Sequence, residues 1–323
     1  MSRLTVAVIG GGRNSEHDVS LASAAAVVDA LDPEHYDVVP LTIDRDGEWR
    51  DARGAVLGFG FAIEVLRTSD VVIPMVHGRH GEDGTLAAVC ELVDTPYVGS
   101  GVGAGAIGMD KHATKLFARA AGVPTAPGVL LDRATAHAYR FRHPVVVKPS
   151  AAGSSIGVSL VTDAAELSAA IDTALAVDDR VLVEDVIVGR EIDVAVLRRA
   201  DGSIMVPPPL EIEADGLFDH VTKYNGEAVF QVPAALDDET RTELEAAAVR
   251  MYDALGCSGV ARIDFFVTAD GPVLIEVNTS PGFTGQSQVP RMFEAAGIPY
   301  PALLDLLIDD AIAACRPLVR NAK

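Results

Sequence analysis

Lysine is nearly missing from this chain. Of 26 basic residues only five are lysine, at Lys111, Lys115, Lys148, Lys223 and Lys323. Arginine is the general-purpose cation here, so a lysine kept beside an unusual motif marks a place for a compact, flexible ammonium instead of a planar fork. Basic charge of any kind is short: the formal net charge is −20 and the isoelectric point about 4.7. That excludes a general binder of nucleic-acid backbones, which needs a basic surface. Aromatic residues make up 5% with a single tryptophan, too few for base-stacking platforms. The three cysteines, Cys90, Cys257 and Cys315, lie far apart and form no CxxC pair, which excludes a disulfide framework and a zinc site. Long apolar runs are also lacking. The first, LTVAVIG, gives way at once to GGRNSEHD, too soon for a signal peptide or a membrane span. The expectation is a cytoplasmic protein with no membrane and no nucleic acid as partner.

What is present has the make-up of an ordinary soluble protein, 49% hydrophobic and 22% charged. At 323 residues the chain is long enough for two or three domains. Its first third alternates strand and helix patterns. Segments 4–10, 36–43 and 70–78 read as buried strands, 19–31 and TLAAVCELVD as helices, and PYVGS as a further short strand. This is a doubly wound parallel sheet, α/β in class. MDKHATKLFARAAG follows as a helix closed by Gly122. Beyond it the pattern becomes α+β. VVVK and GVSLV are strands joined by a Gly/Ser loop, while VLVEDVI and REIDVAVLR read as neighbouring strands turned around Gly189. A long helix covers 239–255 and a hairpin 259–278. Three units are expected, over residues 1–112, 113–195 and 196–323, the last two sharing a cleft.

In GVARIDFFVTADGPVLIEVN two β-rich runs flank an Asp-Gly turn. A turn centred on Asp270 sets Asp264 opposite Glu276 and Arg262 opposite Asn278, all on one face by the two-residue period of a strand. Two carboxylates and an amide oxygen side by side suit a hard cation such as Mg²⁺, which keeps positions for phosphate oxygens. The competing reading is a solvated ladder of charges in which Arg262 satisfies both acids. The AAGSSIG loop after Lys148 offers closely spaced backbone N–H groups with little side-chain bulk, as a phosphate-covering loop does. The plainer alternative is a hairpin turn beside a lysine that reaches to solvent. It is no P-loop, since its lysine precedes the glycines and a strand follows. GGGRNSEHDVS follows the first strand like a dinucleotide fingerprint, but Ser15 stands at the third glycine position. Glu16 and Asp18 either complement the dipole of the next helix or await an ammonium group. In HGRHGEDGT, His77, Glu82 and Asp83 either orient a ligand or cap a helix. No Ser/His/Asp hydrolase arrangement is evident.

Taken in order, HGRHGEDGT, MDKHATK, VVVKPSAAGSSIGV, VLVEDVIVGREIDVAVL, the Lys-Tyr of VTKYNGEA, ARIDFF and LIEVNTSPGFTGQSQVP resemble the D-alanine–D-alanine ligases of the ATP-grasp superfamily over essentially the full length. The resemblance implies a doubly wound N-terminal domain followed by a two-lobed ATP-grasp fold, an ADP-forming ligase of peptidoglycan synthesis, and a tendency to dimerise. ATP would lie between the second and third units, with Lys111 and Lys148 on its phosphates and base and Lys223 reaching the phosphates from a loop. Glu184, Asp185, Val186 and Ile187 would run along the adenine and Glu191 would meet the ribose. Asp264, Glu276 and Asn278 would hold two Mg²⁺, with Mn²⁺ as a substitute. Asp18 would contact the ammonium of the first D-alanine and link to Ser154 and Tyr224, with His77 near that substrate. Arg262 and the Gly282 N–H would form the oxyanion site, and Ser287 would bind the carboxylate of the second D-alanine.

Three positions depart from the family pattern: Asp18 where glutamate is usual, Ala87 where glutamine is usual, and Gln288 where leucine usually faces the second substrate. The resemblance still implies an amine acceptor, since Tyr224 directly follows Lys223. Gln288 keeps a second enzyme class in view, a ligase of specialised metabolism that takes a more polar acceptor such as D-serine. A third class, a non-catalytic nucleotide sensor, conflicts with the intact acidic trio and lysines.

Overall fold

The computed structural model describes residues 3–213 and 229–315; Lys223 and Tyr224 lie outside the described residues. Strands β1 (Leu4–Gly11), β2 (Tyr36–Ile43), β3 (Trp49–Arg50), β4 (Val56–Leu57) and β5 (Val71–Pro74) form one sheet in the order β4-β3-β2-β1-β5. β1 runs parallel to both β2 and β5. Its residues Val6 to Ile9 are all fully buried, which is why it reads as an unbroken apolar run instead of an alternating one. The sheet is mixed, however, because β3 and β4 add antiparallel edges. Two aspartate turns build them: Asp44 Oδ1 accepts the N–H groups of Asp46 and Glu48, and Asp51 Oδ1 those of Arg53 and Ala55. The expected strand PYVGS is reduced to one parallel bridge from Tyr97 to Val72.

Helices α1 (His17–Ala30), α2 (Phe59–Thr68), α3 (Thr85–Leu92) and α4 (Val102–Met109) lead to α5 (Lys111–Ala120). Asp110 separates the last two and caps α5, accepting the N–H groups of His112 and Ala113. A second sheet, all antiparallel, joins β6 (Gly128–Asp132), β7 (Val145–Pro149), β8 (Ser159–Val161) and β9 (Arg180–Asp185) in the order β6-β9-β7-β8, with α6 (Leu167–Leu175) against its apolar face. The third sheet joins β10 (Arg190–Arg198), β11 (Ile204–Met205), β12 (Leu210–Glu213), β13 (Val229–Gln231), β14 (Gly259–Thr268) and β15 (Gly271–Asn278) in the order β13-β12-β10-β14-β15, with β11 on β10. Helices α7 (Asp238–Leu255), α8 (Gln288–Ala295) and α9 (Tyr300–Ala314) complete the described elements.

One strand pairing expected from the sequence is wrong. β9 and β10 are not neighbours turned around Gly189 but members of different sheets. Both edges of β9 are taken by β6 and β7, and those of β10 by β12 and β14. The short 186–189 segment therefore crosses from one sheet to the next, and at Gly189 a Cβ would lie 2.8 Å from the carbonyl oxygen of Val267.

Strand alternation decides where chemistry can sit. On β10 and β14, Ile192, Val194, Val196, Ala261, Ile263 and Phe265 pack against α7 residues such as Met251 and Tyr252. The intervening Asp193, Arg262 and Asp264 face the other way. The two ends of the chain also share a core: Val6, Val8 and Ile73 of the first sheet pack with Phe283, Met292, Phe293, Leu303 and Leu307. No helix among the described residues is long and apolar enough to cross a membrane.

Candidate active site

A cleft of about 440 Å³ lies between the second and third sheets, within the range of small-molecule sites. Lys148 of β7, Ile156 of the following loop and Val186 line one side, and Phe266, Leu274 and Glu276 of the β14–β15 hairpin the other. The cleft also takes in Lys111, Glu184, Asp185, Ile187 and Glu191, so all the residues expected to meet a nucleotide, apart from Lys223 outside the described residues, line one cleft. The Gly/Ser loop does join a hairpin, β7 to β8, but its lysine does not reach to solvent: Lys148 is buried. Ser150 is fully buried, its hydroxyl donates to Asp110 Oδ1 (2.9 Å), and the Ala151 N–H donates to Asp178 Oδ2 (2.8 Å).

The lysines are held by carboxylates. Glu184 is buried and gripped by two ammonium groups, Lys148 Nζ at 2.6 Å and Lys115 Nζ on its other oxygen. Burial alone raises a carboxyl pKa, but the two lysines overcome it and hold Glu184 below its ordinary value. Lys111 Nζ bridges the two sides of the cleft. It donates to the carbonyl of Ala152 in the Gly/Ser loop (2.7 Å) and pairs with Glu276 Oε2 (2.9 Å). Burial opposes its charge, yet Glu276 carries its pKa upward. Lys115 received no role from the sequence, although a spacing of four on α5 places it on the face of Lys111.

The hairpin register is as expected: Arg262 opposite Asn278 and Asp264 opposite Glu276, with an irregularity after Asp264. The solvated-ladder reading fails on burial, since Arg262 and Asp264 are 9% and 3% exposed. Arg262 does grip Asp264, with Nε and Nη2 each 2.7 Å from one carboxylate oxygen, while Nη1 donates to Gln288 Oε1 at 2.5 Å. Burial disfavours its charge, but Asp264 and then Asp193 keep its pKa well above the ordinary value. Asn278 Nδ2 donates to Asp264 Oδ2 at 2.9 Å, which leaves its Oδ1 as a donor to a metal. Among the described residues no three His, Cys, Asp or Glu side chains form a metal-holding group. The trio here is two carboxylates and an amide, an all-oxygen set that fits Mg²⁺ better than a softer ion.

The end of the first sheet supplies the remaining wall, and here one expected residue is corrected. Asp18 is not in the site: its side chain is 81% exposed and pairs with Arg45 at 2.8 Å. The acid that meets Ser154 is Glu16, whose Oε1 accepts the Ser154 hydroxyl. Glu16 is the N-cap of α1, and two residues further on a helix has turned about 200°, so Asp18 points to the opposite side. The Glu16 carboxylate is also pressed between glycines, since a Cβ at Gly78 or Gly153 would lie 2.4 or 2.6 Å from Oε2. Gly153→Ala is therefore expected to leave the melting temperature nearly unchanged, because the clash is with the far end of a side chain. It should displace Glu16 and raise KM for the substrate bound there by roughly tenfold, measured by steady-state kinetics.

His77 stands in the wall as expected but is fully engaged. Its Nδ1 donates to the carbonyl of Ser280 (2.8 Å), so Nε2 accepts from Ser23 Oγ (2.8 Å). Burial lowers its pKa, and the neutral ring ties the first sheet to the 280 loop. Ser23 Oγ also accepts the Phe283 N–H (3.2 Å), which fixes the backbone beside Gly282. Ser287 stands at the N-cap position of α8, but its Oγ turns back to accept the Thr284 N–H at 3.0 Å instead of capping the helix.

Glu82 is a further site residue to which the sequence assigned no single role. It accepts the N–H groups of Gly78 and Ser280, and burial together with the charges of Glu16 and Glu276 raises its pKa from 4.5 to about 7. The native state therefore holds a proton that the unfolded chain has lost, and stability falls as pH rises from about 4.5 to about 7. Thermal melts should show the stability of Glu82→Gln gaining on the parent across that window and the difference staying constant above it; a difference that ignores pH contradicts this.

The family follows from comparison with known proteins. Residues 5–59 and 60–100 match the family model for the D-ala D-ala ligase N-terminus, and residues 117–309 that for the D-ala D-ala ligase C-terminus. The D-alanine–D-alanine ligase of Nocardia farcinica is 43% identical, covering 97% of this chain and 98% of its own. The structure of the VanG D-Ala:D-Ser ligase from Enterococcus faecalis matches with a TM-score of 0.83 at 34% identity, over 96% of this chain and 100% of its own. That of the D-alanine–D-alanine ligase from Bacillus anthracis complexed with ATP matches with a TM-score of 0.80 at 29% identity, over 97% and 98%. With matched segments running from residue 5 to residue 309, this chain belongs to the D-alanine–D-alanine ligase family.

Proposed function

We propose that this chain is an ATP-dependent, ADP-forming ligase that joins two D-alanine molecules into D-alanyl-D-alanine for peptidoglycan precursor synthesis in the cytoplasm. The observation that carries the reading is the lysine-lined cleft, closed on one side by the Gly/Ser loop and on the other by the Arg262, Asp264, Glu276 and Asn278 hairpin. Its working units are residues 1–112, 113–195 and 196–323, and a homodimer is the proposed assembly.

The first D-alanine binds with its ammonium on Glu16, which takes the role first assigned to Asp18, with Ser154 and Tyr224 completing the link that holds the loop over it. Lys111, Lys148 and Lys223 bind the phosphates of ATP, residues 184–187 follow its base, and Glu191 meets the ribose. Asp264, Glu276 and the Asn278 oxygen would hold Mg²⁺ (two ions, or Mn²⁺ in their place), which when bound neutralises charge on the phosphate oxygens. A carboxylate oxygen of D-alanine attacks the γ-phosphorus, the bond to ADP breaks, and an acyl phosphate results. The amine of the second D-alanine, its carboxylate on Ser287, then attacks the acyl carbon. Arg262 and the Gly282 N–H stabilise the oxyanion, and phosphate leaves. Closure of the Gly/Ser loop keeps water from the acyl phosphate. Incubation with MgATP should release ADP and phosphate only when D-alanine is present, with a dipeptide of D-alanyl-D-alanine mass; phosphate release that ignores D-alanine contradicts the reading.

Gln288 favours a second acceptor. Its amide oxygen is taken by Arg262, which leaves the amide N–H to meet a polar side chain such as that of D-serine. Gln288→Leu is expected to shift the ratio of D-alanine to D-serine incorporation about tenfold toward D-alanine, read from dipeptide masses. An unchanged ratio disposes of this idea.

A further inference from the structure

Asp193 has no part in the chemistry above, yet it is the most unusual side chain in the site. It lies on β10 directly opposite Asp264 of β14. It is fully buried, and neither carboxylate oxygen has a hydrogen-bond partner among the described residues. Its near cation is Arg262, whose Nε is 3.2 Å from Oδ2. A buried carboxylate without hydrogen bonds is among the costliest groups a core can hold, and a β-branched residue would fill the same strand position at no such cost. Neutralising Arg262 does not explain it, because Asp264 already grips that guanidinium through two hydrogen bonds.

Asp264 cannot serve two masters. Its Oδ2 already accepts from Arg262 and from Asn278, and a divalent ion bound there would draw the same lone pairs away from the guanidinium. Released from Asp264, Arg262 needs another carboxylate at once, since an unpaired buried guanidinium is strongly destabilising. Asp193 is adjacent, with all its lone pairs unused. We propose that Asp193 is a positioning residue, the second carboxylate seat of Arg262, which receives the guanidinium when Asp264 turns to a divalent cation and so keeps Arg262 aimed at the reacting carbonyl. This rests on the metal-binding reading of Asp264.

The test is a double-mutant cycle on the full chain with Asp193→Asn and Arg262→Gln. It reads Mn²⁺ binding in the presence of ADP from loss of the free-ion paramagnetic resonance signal, with an ADP-only blank subtracted. In the parent background Asp193→Asn leaves Asp264 as the carboxylate that Arg262 holds, beside the Gln288 amide oxygen, so the guanidinium competes with the cation and Mn²⁺ affinity should fall roughly tenfold. In the Arg262→Gln background that competitor is gone, and the same change should alter affinity by about twofold or less. Equal losses in both backgrounds mean that Asp193 acts as a bare charge; they overturn this inference and leave the metal site standing. A parent that binds no Mn²⁺ beyond the blank overturns the inference and the metal reading together. Asparagine keeps the size of Asp193 and removes its charge, so the fold is expected to hold. Asp193→Thr, suited to a strand, carries the same expectation where the first variant does not fold.

Discussion

Asp264→Asn is expected to lower ligation at least about a thousandfold while the protein stays folded. The substitution keeps the size of the side chain and one oxygen acceptor for Arg262. Asp193 also remains 3.2 Å from that guanidinium, so no buried cation is stranded, an event that typically costs about 3–5 kcal/mol. What disappears is a carboxylate charge at the position where γ-phosphate charge must be neutralised. A metal-assisted transition state draws several kcal/mol from that source, and each ~1.4 kcal/mol is a factor of ten in rate. ADP release at saturating ATP and D-alanine, alongside a thermal melt, checks both halves. A variant within tenfold of the parent would remove Asp264 from the metal set.

The second large effect separates two acids only two residues apart. Glu16→Gln should reduce kcat/KM for D-alanine by roughly a hundredfold or more, whereas Asp18→Asn should stay within about twofold of the parent. Glu16 is 9% exposed, hydrogen-bonded by Ser154 and walled by Gly78 and Gly153. Losing one partner of a desolvated ion pair costs about 2–5 kcal/mol. Asp18 is an exposed partner of Arg45, and such surface pairs contribute little. Initial rates at varied D-alanine decide the matter, and a strong defect in Asp18→Asn with a mild one in Glu16→Gln would return the role to Asp18.

These expectations show which parts of the molecule were legible in its residues. The β14–β15 register could be read because it is local: an Asp-Gly turn and a two-residue period set Asp264 opposite Glu276 without knowledge of anything distant. The first parallel strands were legible for a similar reason, since burial on both faces leaves an unbroken apolar run. What failed depends on long-range partners. Nothing in VLVEDVIVGREIDVAVLR tells that both edges of β9 are filled by β6 and β7, so two consecutive strands looked like a hairpin. Asp18 was assigned by family resemblance, whereas the residues alone left Glu16 and Asp18 both open, and a shift of two residues reverses the side of a helix. Lys115 and Asp193 acquire meaning only from Glu184, 69 residues from Lys115, and from Arg262 on the neighbouring strand. The shared core of β1 with α8 and α9 likewise joins segments at opposite ends of the chain, and no local pattern announces it.

The central claim is that the carboxylate of one D-alanine attacks ATP and is then displaced by the amine of another. With D-alanine labelled by ¹⁸O in its carboxylate, the oxygen that bonds to phosphorus leaves with the phosphate when the peptide bond forms. Mass analysis of the released phosphate should find one ¹⁸O atom for each dipeptide made, and phosphate that carries only solvent or ATP oxygen would contradict the account.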